Sequence, residues 1–584
     1  MFSKILIANR GEIAVRIVRT AHEMGIATVA VYSEPDRDAL HVRMAGEAYL
    51  LGPAAPSQSY LNVDKLIEIA QRSGAEAIHP GYGFLAENAA FARRVAAEGL
   101  TWIGPHADAI DAMGDKLRAR LAMQRARVPV VPGGVEPVRD LADVRRAAKN
   151  YGFPLALKAS GGGGGKGLKV AHTQAELESA FTTATREAEA YFKNPTIYAE
   201  RYLDNPKHIE LQILADKYGN VVHVGERDCS LQRRHQKLWE EAPAKLSVGL
   251  RRKLRAAGIR AAQAIGYDSV GTIECLVSGS RFFFLEMNTR IQVEHTVTEM
   301  ISGLDLIREQ IRVAAGEPLG FVQDDLTFEG YAIEGRVNAE DPSQNFRPAP
   351  GTITAYREPG GLGVRVDSAS YPGATISADY DSMIAKLIVW APTRSQAIAR
   401  LRRAIDEYVV EGVPTTLPLL RALCDLESVN DGSYGTATLE AFAANEFAAP
   451  PRASAPADPA PVAVRPDEIR VEVNDKLYRV RVVDLPATAG RGAGTSNGRR
   501  PAPKNAGAKR SAASGNDVIS PMHGLVVELK VDEGAAVQEG AVVAVVEAMK
   551  MMNEIRAHRA GTVAKVHTQA GATVEAGSPL VTIA

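Results

Sequence analysis

Charged and amide side chains occupy every second position between Glu286 and Glu294, in the run Glu-Met-Asn-Thr-Arg-Ile-Gln-Val-Glu. If this run is extended, its polar side chains lie on one face, because side chains alternate between the two faces of a strand. Five such groups are costly to bury without ligands. Carboxylate and amide oxygens suit Mg²⁺, Arg290 can hold a small oxyanion, and Glu294 is then placed as a general base.

A second carboxylate is expected to face Glu286 across a β-hairpin. Residues 270–277 and 281–285 read as two strands joined near Gly279-Ser280. A hairpin that turns about residue 280 places Glu274 opposite Glu286, with Cβ atoms about 4.5–5.5 Å apart. Two carboxylates at that separation repel each other unless cations lie between them. We therefore predict a cation site here, and the alternative is a polar strand edge that faces solvent.

Five glycines and a lysine, residues 161–166, follow an apolar run that contains Lys158. The backbone N–H groups of such a loop can approach phosphate oxygens, while lysines neutralise phosphate charge. The loop is not a Walker A motif, because no Lys-Ser/Thr pair ends it. We predict a loop that covers nucleotide phosphates, and the alternative is a simple hinge.

Lys550 stands in the run Glu-Ala-Met-Lys-Met, inside a C-terminal region that repeats itself. Gly524, Gly534, Val537 and Gly540 recur 37 residues later as Gly561, Gly571, Val574 and Gly577. Each half consists of short alternating strands separated by glycine turns, which predicts a small quasi-symmetric β-sandwich. Lys550 is expected at the tip of a hairpin between the halves, where a modifying enzyme can reach it.

The elements that must position these residues form several domains. The first 115 residues alternate strand-like and helix-like stretches, as in an open α/β sheet whose ligands bind beyond the carboxyl ends of the strands. The loop 79–84 follows one such strand. Beyond residue 447 the chain becomes rich in Ala, Pro, Gly and Ser, which is typical of a linker. Within it, residues 469–483 alternate and predict a hairpin that turns at Asn474-Asp475.

Composition excludes several function classes. The chain has 584 residues with a net charge of −1, so no global basic field attracts nucleic acid or anionic lipid. Its three cysteines form no CxxC pair, which speaks against a disulfide framework or a zinc site. We find no signal-peptide core and no apolar run long enough to span a bilayer, and we expect a cytoplasmic protein.

Three runs of the chain together resemble biotin carboxylase: 7–14, 227–237 and 286–294. The run around Lys550 resembles the biotinylation motif of biotin carrier proteins. Together they resemble the α subunit of bacterial acetyl/propionyl-CoA carboxylases. The resemblance implies a multidomain α/β and α+β protein: a pre-ATP-grasp open sheet at 1–115, an ATP-grasp domain with a lid at 116–330, and a biotin carboxylase C-terminal domain at 331–447. Linkers at 448–517 then lead to an all-β biotinyl/lipoyl-type sandwich at 518–584.

The resemblance also implies roles for individual residues. Arg290, Gln292 and the Val293 backbone would hold bicarbonate, Glu294 would take its proton, and Arg336 would stabilise negative charge on biotin. Lys237 would help to order the reacting phosphate, and Glu274, Glu286 and Asn288 would bind Mg²⁺ or Mn²⁺. Biotin would be attached to Lys550. The residues expected to contact ATP are Lys116, Lys158, Gly163, Gly164, Gly165, Glu200, Leu203, His208, Gln232 and His235.

Three positions near these motifs depart from the family pattern. Thr296 stands where proline is common, Leu168 stands where the lid often has methionine, and Gly335 stands where cysteine is frequent before Arg336. None of these changes removes a catalytic group, but the Gly335 change can alter local packing.

The implied reaction is the first half of acyl-CoA carboxylation. ATP phosphorylates bicarbonate to carboxyphosphate, which supplies the carboxyl group for biotin on Lys550. We expect a separate carboxyltransferase β subunit, a biotin protein ligase and assembly into a homo-oligomer, and we expect the hairpin 469–483 to help dock the β subunit.

Three other interpretations stay open. The first is another ATP-grasp ligase fused to a lipoyl-type carrier, which the group on Lys550 would distinguish. The second is a catalytically inert biotinylated scaffold. The third is a polynucleotide-binding protein that acts through the basic segment 491–510, which predicts salt-sensitive binding.

Overall fold

The computed structural model describes residues 1–160, 168–192, 194–234, 236–445, 447, 468–473, 476–481, 516–522, 524–548, 551–575 and 577–584. The chain divides into two compact units. One contains Met1–Ile376 and Met383–Ala455, and the other contains Ser377–Ser382 and Pro456–Ala584. No helix among the described residues is both long and apolar enough to cross a membrane.

The amino-terminal part of the first unit contains an open parallel sheet, as predicted. Its strands run in the order β3-β2-β1-β4-β5, so β1 lies between β2 and β4. The strands are β1 (Lys4–Ile7), β2 (Ala27–Ser33), β3 (Glu47–Gly52), β4 (Ala77–His79) and β5 (Thr101–Trp102). The helices are α1 (Gly11–Glu23), α2 (Leu40–Met44), α3 (Val63–Ser73), α4 (Ala89–Ala97) and α5 (Ala107–Gly114).

The loop after β4 is fastened to the end of β1. The side-chain amide of Asn9 donates to the carbonyls of Pro80 (2.7 Å) and Tyr82 (2.8 Å). Gly81 between them has a φ of +62°, and a Cβ there would lie 2.9 Å from the Asn9 amide nitrogen. Only glycine meets both conditions without strain. The predicted loop 79–84 therefore lies at the carboxyl ends of two adjacent parallel strands.

The middle of the chain supplies a small sheet and most of a large one. The three-stranded sheet has the order β7-β6-β8 and packs against two helices around an apolar core. The strands are β6 (Leu155–Ala159), β7 (Leu168–Ala171), β8 (Ile197–Arg201), β9 (Lys207–Ala215), β10 (Val221–Arg233), β11 (Gln236–Ala242), β12 (Ser269–Ser278) and β13 (Arg281–Asn288). The helices are α6 (Lys116–Arg125), α7 (Leu141–Tyr151), α8 (Leu177–Phe192), α9 (Val248–Ala264), α10 (His295–Ser302) and α11 (Leu306–Ala314).

The third part of this unit completes the large sheet. Eight strands run in the order β13-β12-β9-β10-β11-β14-β21-β19, so the sheet extends across residue 331. The strands are β14 (Tyr331–Asn338), β15 (Glu340–Asp341), β16 (Arg347–Pro348), β17 (Gly351–Thr352), β18 (Ala355–Arg357), β19 (Val364–Ser368), β20 (Thr375–Ile376), β21 (Met383–Ala391) and β22 (Val409–Glu411). The helices are α12 (Arg394–Glu407), α13 (Leu417–Leu423), α14 (Glu427–Asp431) and α15 (Thr438–Asn445).

The second unit contains a hairpin and a β-sandwich. The hairpin pairs β23 (Glu468–Val473) with β24 (Lys476–Arg481), and its predicted turn at Asn474-Asp475 lies outside the described residues. The sandwich consists of two four-stranded sheets, β25-β32-β30-β27 and β29-β28-β26-β31. Its strands are β25 (Asp517–Ile519), β26 (Gly524–Leu529), β27 (Ala536–Val537), β28 (Val542–Ala548), β29 (Met551–Arg556), β30 (Gly561–Val566), β31 (Thr573–Val574) and β32 (Pro579–Ile583).

The sandwich has the predicted internal symmetry. The first half contains β25 to β28 and the second half contains β29 to β32. The short strand of each half pairs with a strand of the other half: β27 pairs with β30, and β31 pairs with β26. Gly534 and Gly571 have φ values of +88° and +87°, and Gly540 and Gly577 have values of +82° and +86°. β28 pairs with β29 as far as Ala548 and Met551. Met549 and Lys550, which join these two strands, lie outside the described residues.

Candidate active site

A partly buried lysine, its side chain 12% exposed, lies in the large sheet and contacts three carboxylates. Lys237 on β11 donates to Glu274 on β12 (3.0 Å), to Glu294 (2.8 Å) and to Glu210 on β9. Burial disfavours the ammonium, but the three carboxylates raise the pKa of Lys237 well above its usual value. Lys237 is therefore a cation at neutral pH.

The run 286–294 is not one strand, contrary to the sequence prediction. β13 ends at Asn288, residues 289–292 are irregular, and Glu294 is the N-cap of α10. Long-range contacts cause this change of direction. Glu87 accepts from the Thr289 N–H (3.1 Å) and from Arg290 Nε (2.9 Å). The polar groups of the run still converge, but they do so as a loop at the end of β13.

A fully buried arginine of the large sheet binds this loop through Gln292. Arg227 on β10 donates to Glu210 (2.9 Å), Gln212 (2.6 Å) and Gln292 (2.6 Å). Gln292 in turn donates to Glu274 (2.8 Å). Arg227 belongs to the run that carries the family resemblance, but no role was predicted for it. It orients the Gln292 amide between two strands of the sheet.

Glu294 is held between two cations. Arg336 Nη2 lies 2.9 Å from Glu294 Oε2, and Lys237 Nζ lies 2.8 Å from Glu294 Oε1. Burial and Glu210 raise the pKa of Glu294, but Lys237, Arg336 and Arg227 together hold it below its usual value. Glu294 is therefore ionised at neutral pH and able to accept a proton, as the predicted general base requires.

Arg336 is oriented by a second carboxylate. Its Nε donates to Glu240 on β11 (2.6 Å), and Arg336 projects from β14 with its side chain 13% exposed. Two acceptors on one planar guanidinium fix its orientation. The structure thus brings Glu294, Lys237 and Arg336 into one cluster.

Glu274 and Glu286 are cross-strand partners, as predicted. A basic side chain lies beside each of these two carboxylates. Lys116 Nζ lies 3.3 Å from Glu286 Oε2, and His208 Nε2 lies 3.1 Å from Glu274 Oε2. Burial opposes protonation of His208, but Glu274 and Glu210 raise the pKa of its imidazole to about 9.

The predicted metal ligands fit a hard divalent cation in their donor chemistry. Glu274 and Glu286 offer carboxylate oxygens, and Asn288 offers an amide oxygen on the same strand as Glu286. Asn288 donates to Glu274 (2.8 Å), and its own oxygen accepts from Arg290 (2.9 Å). Oxygen-only donor sets of this kind are those that Mg²⁺ prefers.

The predicted nucleotide contacts form a second group beside the small sheet. Lys158 on β6 forms an ion pair with Glu200 on β8, and Glu200 also accepts from Arg120 on α6 (2.8 Å). Lys116 opens α6, and its backbone N–H donates to the Ser160 carbonyl (3.0 Å).

Two further predicted nucleotide contacts lie near strand ends. Leu203 is partly buried just after β8, and Gln232 is 7% exposed on β10 opposite Lys237. Gly163, Gly164, Gly165, His235 and Lys550 lie outside the described residues.

Two of the three departures from the family pattern, Thr296 and Gly335, have structural partners. The Thr296 hydroxyl donates to Glu334 on β14. Gly335 packs against α13, where an added Cβ would lie 3.1 Å from Leu420 Cδ1.

Several buried residues of the site were not predicted from the sequence. For Glu210 a signal was present: His208, Glu210 and Gln212 alternate with Ile209, Leu211 and Ile213, the pattern of a strand with one polar face. All three polar residues are nearly or fully buried. A polar face that is buried predicts a ligand or an ion-pair cluster. Glu240 and Glu87 had no comparable pattern.

Four family profiles match the chain. They are the biotin carboxylase N-terminal domain at residues 1–110, the carbamoyl-phosphate synthase L chain ATP-binding domain at 115–322, the biotin carboxylase C-terminal domain at 334–441 and the biotin-requiring enzyme domain at 516–583.

The chain is also similar to characterised proteins. It is 52% identical over 445 residues to biotin carboxylase 1 of Bacillus subtilis, covering 76% of this chain and 99% of that protein. It is 43% identical over 600 aligned residues to the biotin-dependent acyl-coenzyme A carboxylase alpha3 subunit of Mycobacterium leprae, covering 100% of this chain and 98% of that subunit.

A solved structure shares the fold of the first unit. The biotin carboxylase domain of Hydrogenobacter thermophilus 2-oxoglutarate carboxylase, a dimer in complex with MgADP, ADP and bicarbonate, matches with a TM-score of 0.73 and 50% identity. The match covers 76% of this chain and 98% of that chain.

Proposed function

The chain belongs to the biotin carboxylase family, and we propose that it carries out the first half-reaction of an acyl-CoA carboxylase on biotin attached to its own Lys550. Its activity is the ATP- and bicarbonate-dependent carboxylation of biotin. The finer parts of the proposal are the attachment residue, the roles of the site residues, the acyl-CoA substrate and the partner.

One observation carries the catalytic assignment: an ionised Glu294 held between Lys237 and Arg336. In the proposed mechanism, bicarbonate binds beside Arg290, Gln292 and the Val293 backbone. Glu294 accepts the bicarbonate proton, which makes the bicarbonate oxygen a nucleophile toward ATP. Lys237 balances the negative charge that gathers on the reacting phosphate.

Nucleotide and metal bind on the other side of this cluster in our proposal. Lys116, Lys158 and His208 contact the phosphates, with Glu200, Leu203, Gln232, His235 and the glycines 163–165 completing the nucleotide site. Glu274, Glu286 and Asn288 hold Mg²⁺, which when bound supplies positive charge that neutralises the phosphates.

Arg336 is assigned to the second part of the reaction. When bound, biotin would supply the ring nitrogen that accepts the carboxyl group, and the phosphate released from carboxyphosphate would take the proton that this nitrogen loses. Arg336 neutralises the negative charge that develops on the biotin ring, and Glu240 keeps the guanidinium oriented for this task.

The proposed domain limits are 1–115, 116–330, 331–447 and 518–584, with linkers at 448–517 and the hairpin 469–483. We further propose that the acyl group is acetyl or propionyl, and that a separate carboxyltransferase β subunit binds with the help of this hairpin. The similarity to an acyl-CoA carboxylase alpha subunit along the whole chain supports this partner.

The first experiment measures bicarbonate-dependent ADP release with free biotin. Wild type and Lys550→Ala should both respond to free biotin, whereas Glu294→Ala should lose at least about 10²-fold in rate, as expected for removal of a general base. Intact mass should show biotin on wild type and on the control Lys565→Ala, an exposed carrier lysine, but not on Lys550→Ala. Absence of biotin-dependent turnover in wild type would favour the scaffold or the other ligase.

A second experiment tests the partner. Deletion of residues 469–483 should weaken co-purification with the carboxyltransferase subunit while leaving the free-biotin reaction intact. Unchanged complex formation would remove the hairpin from the proposal.

A further inference from the structure

Two glutamates face each other on neighbouring strands beside Arg336. β11 and β14 are antiparallel, and their register places Glu240 opposite Glu334. Both residues are 0% exposed. Opposed residues of antiparallel strands have Cβ atoms about 4.5–5.5 Å apart. Two carboxyl groups therefore share one small volume from which water is excluded.

On each glutamate of this pair, one carboxyl oxygen accepts a hydrogen bond from the described part of the chain and the other does not. Glu240 Oε1 accepts from Arg336, and Glu334 Oε2 accepts from the Thr296 hydroxyl. Among the residues that the structure describes, none donates to Glu240 Oε2 or to Glu334 Oε1. A buried oxygen without a donor is costly, and two such oxygens on facing carboxylates would also repel each other. One proton placed between them removes both costs.

The charges around the pair do not balance two carboxylates. Arg336 donates to Glu240, but the same guanidinium also pairs with Glu294. The charges of Glu294 and Lys237 also act on Glu240, and the charge of Glu240 acts on the Cys229 thiol. Burial raises the pKa of Glu240 to about 7, with Arg336 opposing the rise and Glu294 adding to it.

The cation that β21 offers to Glu334 is also shared. Lys386 is the register partner of Arg336, so it lies diagonally across from Glu334. It already lies 3.4 Å from Glu12 and 3.8 Å from Asp367. Burial, and next the charge of Glu240, raise the pKa of Glu334 well above its usual value.

We propose that Glu240 and Glu334 share one proton between Glu240 Oε2 and Glu334 Oε1, and that Glu334 is thereby a positioning residue for Arg336. The proton leaves a single negative charge on the pair, directed at the guanidinium through Glu240 Oε1. With one negative charge on the pair instead of two, the positive charge of Arg336 is less completely cancelled and can still neutralise an anionic substrate. The consequence for Arg336 rests on the proposed function, whereas the shared proton does not.

Infrared difference spectroscopy on the full chain tests the proton directly. The spectrum of wild type minus Glu334→Gln at pH 7 should show the carbonyl stretch of a protonated carboxyl, shifted down in D₂O. Glu427→Gln, at an exposed glutamate on α14, is the matched control and should show no such band. If Glu334→Gln does not fold, Glu240→Gln answers the same question, because either partner is required for the shared proton. Absence of the band from the difference spectrum of a folded variant would overturn the proposal.

The effect on Arg336 is tested by the pH dependence of kcat in the free-biotin reaction. In wild type, loss of the shared proton at alkaline pH adds a negative charge beside Arg336, so kcat should fall. Glutamine stays neutral and can donate from Nε2 to Glu240, so Glu334→Gln should lack this alkaline fall. We expect its ratio of kcat at pH 9 to kcat at pH 7 to exceed that of wild type by at least about threefold. Identical alkaline limbs would overturn the positioning role.

The two readouts separate this inference from the proposed function. The infrared band requires no turnover, so a chain that shows the band but no biotin-dependent ADP release would refute the proposed activity alone. A chain that turns over without the band would refute the shared proton alone.

Discussion

The ammonium group of Lys386 lies 3.0 Å from the carbonyl oxygen of Val293, and Lys386 is 0% exposed. This contact fastens the irregular loop 289–294 to β21. Lys386 is also the cross-strand neighbour of Arg336. The buried Lys386 therefore contacts the predicted bicarbonate loop and also lies next to Arg336 in the sheet.

Lys386→Met should raise the KM for bicarbonate by about tenfold or more, because each 1.4 kcal/mol of lost positioning is a factor of ten. It should also destabilise the protein by about 1–3 kcal/mol, since the Val293 carbonyl and Asp367 lose a buried cation, whereas Glu12 becomes neutral by protonation. Steady-state kinetics and thermal unfolding measure the two effects. Lys253→Met, at an exposed lysine on α9, should change neither. A folded Lys386→Met enzyme with wild-type KM for bicarbonate would contradict the role of this contact.

Glu87→Gln should weaken the hold on Arg290 while keeping an oxygen for the Thr289 N–H. Loss of the charge-assisted bond is expected to cost about 1 kcal/mol and to raise the KM for bicarbonate roughly three- to tenfold. The KM for ATP should stay unchanged. Glu98→Gln removes a comparable arginine pair, with Arg94 at 2.7 Å, on an exposed helix end and serves as the control. Equal changes in both KM values would point to a general loss of structure.

The Glu12 carboxyl makes the free energy of unfolding depend on pH. Burial raises its pKa from 4.5 to about 7, against the opposing charge of Lys386. The protonated form is favoured in the folded state, so this contribution to stability is complete below about pH 4.5 and is lost as the pH rises to about 7. The loss is on the order of 3 kcal/mol. Glu12→Gln should gain stability relative to wild type between pH 5 and pH 8 in thermal unfolding, and Glu427→Gln should not. A parallel pH dependence in Glu12→Gln and wild type would refute this account.

Gly335→Ala should destabilise the protein by about 1–2 kcal/mol, because the new methyl group would press on Leu420. Leu420→Val in the same chain should recover part of this loss, giving a coupling of about 0.5 kcal/mol or more in a double-mutant cycle. Gly249→Ala on α9 meets nothing within 4 Å and should stabilise the helix by about 0.5–1 kcal/mol. Additive effects of the Gly335 and Leu420 substitutions would show that the two residues do not compete for space.

The sandwich of the second unit could be predicted from the sequence in some detail. In its 37-residue repeat, β26 corresponds to β30 and β28 corresponds to β32. The repeated glycines predicted turns, and their φ values agree between the two halves. Turn geometry depends on a few neighbouring residues, so it can be read locally.

The catalytic cluster depended on contacts that no local pattern contains. Alternation predicted one strand through Glu294, but contacts with Glu87, Arg227 and Lys386, each more than 60 residues away, turn the chain after Asn288. Opposition of Glu274 and Glu286 was predicted for a turn about residue 280. The hairpin instead pairs Ser278 with Arg281, and a bulge near Leu285 shifts the register by one. Without that bulge Glu286 would not face Glu274.

The sequence by itself determined the family, the carrier repeat and most of the residue types in the site, because motif composition and strand periodicity are written along the chain. The tertiary structure decided which charges meet. Glu210 becomes a partner of Lys237, Glu240 becomes a partner of Arg336, and Glu334 comes to face Glu240 only when β9, β11 and β14 align in one sheet. Their ionisation follows from burial and from neighbours on other strands, and neither quantity exists until the chain has folded.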